Sequence, residues 1–159
     1  GGHYVGPHSD QHLLYCDWKK RDALLIDRRT FEEDLRDNYA ELEKFGVAPS
    51  KARWFMPPYE WYNKAVVNWA KAMGLSVVSF TPGVRTNADY TTPEMANYMS
   101  SDEIVQSVFQ FEKEQPQGLN GCIVLIHPGT DPARKDKLYN CLPDIIERLK
   151  QRKYQFKRF

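Results

Sequence analysis

The sequence predicts an α/β fold in which parallel strands alternate with helices. Segments with helical periodicity alternate along the chain with short apolar segments, and turn residues such as Gly46, Pro57 and Gly74 separate them. The apolar run CysIleValLeuIle at 122–126 has no polar face, as is typical of a strand covered on both sides in a parallel sheet. Strands and helices in this order indicate an α/β layer or barrel.

The first helix and the first strand are predicted from capping and turn residues. Thr30 and Glu33 have the spacing of a capping box, and apolar residues at helical spacing continue from there to Gly46, which ends the helix. Residues 53–56 then form a short strand that two prolines terminate, and Trp54 within it is expected to be buried.

A second helix and strand follow, and then a long loop. The helix has an apolar stripe and ends at Gly74; the stripe consists of Val66, Val67, Trp69, Ala70 and Met73. Residues 75–80 form the next strand. Residues 81–99 contain several proline and glycine breaks and little periodicity, which indicates a functional loop.

The last third of the chain repeats the alternation. Ser100 and Glu103 form a second capping box at the start of a helix. The apolar residues 122–126 then form a strand, residues 138–151 form the last helix, and residues 154–157 form a final strand.

Composition excludes several classes of partner. The chain has 159 residues, of which 42% are hydrophobic, so it is long enough for one domain with a substantial core. Its net charge of +1 gives no electrostatic reason to expect a nucleic acid or an anionic membrane as partner. The longest apolar run is far shorter than the roughly 20 residues that span a bilayer.

In parallel α/β folds the ligand binds at the carboxyl ends of the strands. Four segments follow predicted strands and contain polar or aromatic residues, namely 8–12, 57–61, 81–90 and 127–131. These segments are therefore the candidates for a functional site.

The segment HisSerAspGlnHis at 8–12 is a candidate metal clamp. Pro7 suits the first position of a helical turn, and residues four apart on such a turn face the same way, so the rings of His8 and His12 can reach one ion. Ser9 stands where a metalloprotease HExxH motif has its glutamate. The spacing alone leaves open that these are two separately bonded histidines.

Three segments together resemble a known family. GlyGlyHisTyrValGlyProHisSerAspGlnHis at 1–12, PheMetProProTyrGlu at 55–60 and ValLeuIleHisProGly at 124–129 occur in an order and at separations similar to those of the polysaccharide deacetylase family, carbohydrate esterase family four. The resemblance covers nearly the whole chain and implies an incomplete (β/α) barrel of the polysaccharide deacetylase type. It also implies a divalent metal cofactor, with zinc as the expected ion.

The resemblance assigns a role to each candidate residue. His8 and His12 would be metal ligands, His127 the general acid, and Asp89 the group that orients His127. The backbone N–H of Tyr59 would hold the oxyanion. The expected substrate-binding residues are Pro57, Tyr59, Trp61, Tyr90 and Leu125. From the residues alone, His127 could also be a satisfied core histidine, Tyr59 a turn aromatic and Asp89 a turn cap.

Two departures from the family pattern bear on activity. Met56 stands where the family has an arginine that pairs with the catalytic base. The family's first motif, which carries the third metal ligand and the general base, should precede His8 by some tens of residues, whereas only seven residues precede His8 here. We therefore expect residues 1–159 to be a single domain from the C-terminal part of a longer chain. The alternatives are a second chain that completes the barrel and an inactive enzyme.

The expected function is that of a metal-dependent hydrolase that removes acetyl groups from N-acetylated polysaccharide or peptidoglycan sugars. The resemblance also implies a bacterial, extracytoplasmic setting, at the cell surface, in the periplasm or secreted. Two alternatives remain at this point: a catalytically inactive carbohydrate-binding module, which Met56 favours, and an esterase for the O-acetyl groups of xylan.

Overall fold

The structure of the chain, a computed structural model, describes residues 2–157. In these residues there are four α-helices and two short strands, in the order α1 (Arg28–Glu43), β1 (Trp54–Phe55), α2 (Lys64–Ala72), β2 (Ser76–Val77), α3 (Ser101–Glu114) and α4 (Leu142–Gln151). Single 3₁₀ turns lie at Pro49–Lys51, Pro58–Glu60, Thr86–Tyr90 and Leu138–Cys141. No helix of residues 2–157 is both long enough and apolar enough to cross a membrane.

The sheet confirms the predicted parallel α/β connection. Strand β1 pairs with β2 in parallel, with Trp54 opposite Ser76 and Phe55 opposite Val77, and helix α2 connects the two strands. A parallel pair needs such a crossover because its strands cannot be joined by a tight turn. These two strands are the whole of the sheet within the described residues.

The residues group into two compact units, 2–79 and 80–157. The first contains α1, α2 and the sheet, packed on a core that includes Tyr15, Phe31, Leu35, Phe55 and Val66. The second contains α3 and α4, packed on a core that includes Val84, Ile104, Val108, Leu138 and Ile145. Each unit thus has its own hydrophobic cluster.

Strand formation at 122–126 was predicted and is wrong. This segment joins no strand ladder among the described residues; its hydrogen bonds run from Cys122 N–H to the Leu119 carbonyl at 3.1 Å, from Thr81 N–H to the Ile123 carbonyl at 2.9 Å and from Ile123 N–H to Thr81 Oγ1 at 3.0 Å. Val124 is 45% exposed, whereas Cys122 and Ile126 pack against the core of the second unit. The apolar run therefore reflects contact with one cluster and not burial on both faces of a sheet.

The final strand predicted at 154–157 is also wrong. After α4 the chain turns through Lys153, which has a φ of 67°, and Tyr154 N–H donates to the Leu149 carbonyl at 3.0 Å. The Tyr154 hydroxyl accepts from the Leu119 backbone N–H at 3.0 Å. The backbone N–H of Tyr154 thus bonds to the end of α4 and not to a neighbouring strand.

The start of α1 differs from the prediction, whereas that of α3 does not. Asp27 is the N-cap of α1, because its carboxylate accepts from the Thr30 backbone N–H at 2.8 Å, and Glu33 pairs with Arg29 instead of completing a capping box. The capping box predicted at the start of α3 is confirmed with both of its hydrogen bonds.

Trp54 was expected to be buried, and this is wrong. It is 40% exposed, whereas the next residue, Phe55, is fully buried. Successive side chains of a strand point to opposite faces. Phe55 takes the core face of β1, so Trp54 lies on the other face.

A buried arginine organises the second unit. Arg134 is fully buried, and its guanidinium donates to the carbonyl oxygens of Thr91 at 2.8 Å, Met99 at 2.9 Å and Asp136 at 3.0 Å. It also donates to the Ser101 hydroxyl at 3.2 Å. Arg134 therefore joins both ends of the segment 91–99 to the start of α3.

Replacement of Arg134 by methionine should destabilise the chain strongly. The substitution keeps most of the volume but leaves several buried acceptors without donors, so we expect the free energy of unfolding to fall by about 3–5 kcal/mol. Urea denaturation followed by circular dichroism measures this. Arg85→Met, a change at an exposed arginine of the same unit, is the control. If Arg134→Met lowers the free energy of unfolding by less than about 1 kcal/mol, Arg134 does not stabilise the second unit as described.

Candidate functional site

The loop 8–12 brings its two histidines together without a helical turn. The predicted turn is wrong, because the segment is irregular and both Ser9 and His12 have positive φ, of 76° and 51°. The rings of His8 and His12 nevertheless lie edge to face, with centroids 5.1 Å apart and planes at 65°. The two imidazoles are neighbours, as predicted, but an irregular loop and not a helical turn brings them together.

Helix α1 holds this loop through two polar side chains one turn apart. The buried carboxylate of Asp34 accepts from the backbone N–H groups of Gln11 at 2.9 Å and Asp10 at 3.3 Å. Asn38 Oδ1 accepts from the backbone N–H of His8 at 3.1 Å. An irregular loop lacks internal partners for its N–H groups, so these bonds fix the conformation that presents the histidines.

A backbone contact sets the tautomer of His8. Its Nδ1 lies 2.7 Å from the carbonyl oxygen of Met56. A carbonyl only accepts, so Nδ1 carries a proton, and in the neutral ring the lone pair that can bind a metal is at Nε2. Met56 makes this contact through its backbone, and the contact therefore does not depend on which side chain stands at position 56.

The centroid separation of the two imidazoles equals that of two ligands of one metal ion, although they are not a complete ligand set. With Zn–N bonds of about 2.0–2.1 Å, two rings at a tetrahedral angle have centroids roughly 5 Å apart. The observed 5.1 Å agrees with this. Catalytic zinc sites use three protein ligands. No group of three histidine, cysteine or acidic side chains in residues 2–157 could hold an ion.

Aromatic residues extend from the His12 ring. Tyr59 contacts it edge to face with centroids 4.5 Å apart, and Tyr59 is 46% exposed. Tyr59 and Glu60 both have positive φ, 58° and 50°, in the turn after Pro57. Pro57 is buried, and Trp61 is half-buried. Of these three predicted substrate-binding residues, Tyr59 presents the largest free surface.

The second unit brings Asp89 and His127 together. The carboxylate of Asp89 is 2% exposed and accepts twice from His127, from the backbone N–H at 2.7 Å and from ring Nδ1 at 2.6 Å. Both the chain position and the ring orientation of His127 are thereby fixed by one buried carboxylate. The His127 side chain itself is 37% exposed.

Of the other two predicted residues in this unit, Tyr90 contacts the His127 ring, and Leu125 is close to His127 in sequence. The ring of Tyr90 faces that of His127 edge to face at 6.1 Å and is 47% exposed. Leu125, two residues before His127, is half-buried. Tyr90 also lines an open pocket of about 390 Å³ with Phe80, Arg85, Asn87 and Asn97, among others.

Sequence reasoning missed the two residues that hold the histidine loop. Asp34 and Asn38 lie on the core-facing stripe of α1 together with Phe31 and Leu35. A carboxylate buried on an apolar stripe requires hydrogen-bond donors. The signal in the sequence was a charged residue, Asp34, at a position of α1 where the helical spacing predicts an apolar one.

Solved structures share this fold. The chain matches BA3943, a CE4 family pseudoenzyme from Bacillus anthracis, over 95% of its own length with a TM-score of 0.63 and 22% identity. It matches the Bc1960 peptidoglycan N-acetylglucosamine deacetylase over 99% of its length with a TM-score of 0.71 and 18% identity. A family 4 carbohydrate esterase from Streptomyces lividans matches over 94% with a TM-score of 0.63 and 19% identity.

The chain has the fold of family 4 carbohydrate esterases. This supports the resemblance carried by the three sequence segments; of the predicted (β/α) barrel, the described residues form one parallel strand pair joined by a helix. At these identities the likeness is one of fold, and the chain spans 43% of the pseudoenzyme and 62% of each of the two others. No protein-family model and no curated protein matches the sequence.

Replacement of Asp34 by asparagine should loosen the histidine loop. An amide offers one acceptor oxygen, and its NH₂ would face a backbone N–H donor, so we expect a loss of about 1–3 kcal/mol in unfolding free energy. The amide protons of Asp10 and Gln11 should exchange faster in NMR hydrogen-exchange measurements. Asp37→Asn, at an exposed position of α1, is the control. Unchanged exchange at Asp10 and Gln11 would contradict this role.

Proposed function

We propose that this chain belongs to a metal-dependent hydrolase that removes acetyl groups from N-acetylated sugars of a polysaccharide or of peptidoglycan. The fold supports the general class, because similar structures include a peptidoglycan N-acetylglucosamine deacetylase and a carbohydrate esterase. The observation that carries the proposal is the Asp89–His127 pair. A half-exposed imidazole fixed by a buried carboxylate is the arrangement of a positioned general acid or base.

His127 acts as the general acid in this proposal. The N–H at Nδ1 is held by Asp89 Oδ1, so the ring exchanges its transferable proton at Nε2. That proton goes to the amine that leaves when the amide bond breaks. Asp89 accepts from Nδ1 and so orients the ring and stabilises the imidazolium, as a buried carboxylate partner does in hydrolytic triads.

His8 and His12 hold the metal in this proposal. When bound, a divalent ion such as zinc polarises the acetyl carbonyl and lowers the pKa of a coordinated water. His8 contributes through Nε2, because Nδ1 is committed to the Met56 carbonyl. The remaining metal ligand would come from a further segment of a longer chain or from a second chain. That same segment or chain would also complete the (β/α) barrel.

Substrate contacts follow from the exposed aromatic residues. The Tyr59 backbone N–H would hold the oxyanion, and Trp61 would contact the sugar next to it. Tyr90 and Leu125 would contact the acetyl methyl group, with Pro57 as a rigid buried support. With an acetylated cell-surface polysaccharide as its partner, the protein would act outside the cytoplasm.

Zinc binding tests the metal proposal directly. We expect His8→Ala and His12→Ala each to weaken zinc affinity at least tenfold, because each removes one donor from a small set. Competition with a chromogenic chelator measures the affinity without reference to activity. His3→Ala is the matched control, since His3 is exposed in the same unit. Equal affinity in all three variants would show that the two rings do not bind the ion.

Acetate release tests the role of His127. In the zinc-loaded protein, His127→Ala should lower kcat for acetylated chito-oligosaccharides by about 10²–10⁴-fold, which is the usual contribution of a general acid. Its zinc content should equal that of the wild type. A variant that keeps its rate, or one that loses its metal, would refute this assignment.

A carbohydrate-binding module without catalysis is the second candidate. Met56 replaces the arginine expected from the family resemblance, and one similar structure is described as a pseudoenzyme. This candidate predicts that the zinc-loaded full-length protein binds acetylated oligosaccharides and releases no acetate. Acetate release from O-acetylated xylan, measured in parallel, distinguishes both candidates from a hydrolase that is specific for O-acetyl esters.

A further inference from the structure

Trp18 is an exposed aromatic residue that the function proposed above does not use. Its side chain is 55% exposed, and its ring contacts two other aromatic rings. Tyr59 lies edge to face with it at 5.5 Å, and Trp61 lies 5.7 Å away with planes inclined by 31°. A large ring left half in water forgoes the free energy that burial would supply. An exposed aromatic cluster of this kind marks a binding surface.

A tight hairpin fixes the position of Trp18. Residues 16–24 form this hairpin, which an antiparallel bridge closes at its ends. The carboxylate of Asp17 accepts from the backbone N–H groups of Lys19 at 2.8 Å and Lys20 at 2.7 Å, directly after Trp18. The backbone on both sides of Trp18 is therefore held by hydrogen bonds, and the ring is presented on an ordered turn.

The neighbouring Trp61 forms the support of this surface. Its Nε1–H donates to the Asp17 carbonyl at 3.2 Å, and the guanidinium of Arg21 covers its ring at 4.3 Å from the centroid. Arg21 is itself fixed by a bond from Nε to the Tyr62 carbonyl at 2.6 Å. Trp18 differs from Trp61 because its indole N–H has no acceptor among the described residues.

We propose that Trp18 is a sugar-stacking residue that binds a pyranose ring of the glycan, next to the sugar that loses its acetyl group. The proposal rests on the deacetylase function proposed above. Continuity with the histidine loop supports it, because Tyr59 contacts both Trp18 and the ring of His12. A flat apolar face binds the C–H face of a sugar, and the indole N–H donates to a hydroxyl at its edge.

The small size of the surface favours a sugar over a protein partner. Stable protein interfaces bury about 800 Å² on each partner. Three rings, of which Trp61 is half-buried and capped by Arg21, expose far less than this. One or two sugar rings match such an area.

Binding of N-acetylglucosamine oligomers tests the proposal. By isothermal titration calorimetry on the full chain, Trp18→Ala should weaken the affinity for the hexamer about tenfold and leave that for the monomer within about twofold. Trp18→Phe keeps a flat ring and should recover most of the loss. Phe45→Ala is the control, because Phe45 is an 84% exposed aromatic residue of the same unit. Thermal melts confirm that each variant is folded.

Kinetics separate this inference from the proposed activity. Trp18→Ala should raise KM for long substrates and leave kcat unchanged, whereas loss of the general acid lowers kcat. Normal acetate release with identical KM in wild type and Trp18→Ala at every chain length would overturn the stacking role alone. Glycan binding that needs Trp18, in a metal-loaded protein that releases no acetate, would uphold it and overturn the catalytic proposal. A wild-type chain that binds no oligomer would overturn the stacking role.

Discussion

A buried carboxylate that accepts backbone N–H groups fixes each of the two histidine segments. Asp34 holds the loop of His8 and His12 by two main-chain bonds, and Asp89 holds His127 by its main-chain N–H and its ring. Both histidine segments lie outside regular structure, so without such a partner their N–H groups would be left to water or unpaired. A carboxylate that is 5% or 2% exposed is tolerated only because its oxygens are used in this way.

The same constraint explains why the candidate residues lie where backbone geometry is unusual. Ser9, His12 and Tyr59 all have positive φ, and each is a candidate residue or adjoins one. Such conformations cost of order 1 kcal/mol or more each and persist only when the surroundings determine them. In the first unit these surroundings are α1 and the aromatic rings around Tyr59.

Sequence reasoning succeeded where local signals are strong and failed where distant contacts decide. Parallel pairing of β1 and β2 and the capping box of α3 could be predicted, because periodicity and capping are local. The structure of 122–126 could not be predicted, because the sequence of an apolar run is the same whether it forms a central strand or an irregular segment packed against one hydrophobic cluster. The contact of Asp89 with His127 joins residues 38 apart and was suggested only by family resemblance. Asp34 was missed because its partners lie in another segment.

Met56 shows why a substituted motif residue does not by itself decide activity. What the structure uses at this position is the carbonyl oxygen that orients His8, and any residue supplies that oxygen. The metal-binding half of the proposed chemistry is therefore independent of the missing arginine. In the family pattern the arginine instead pairs with the catalytic base, so its replacement would act on that base. The departure at position 56 thus leaves the His8 contact intact, so the proposed metal and glycan binding do not depend on the side chain at this position.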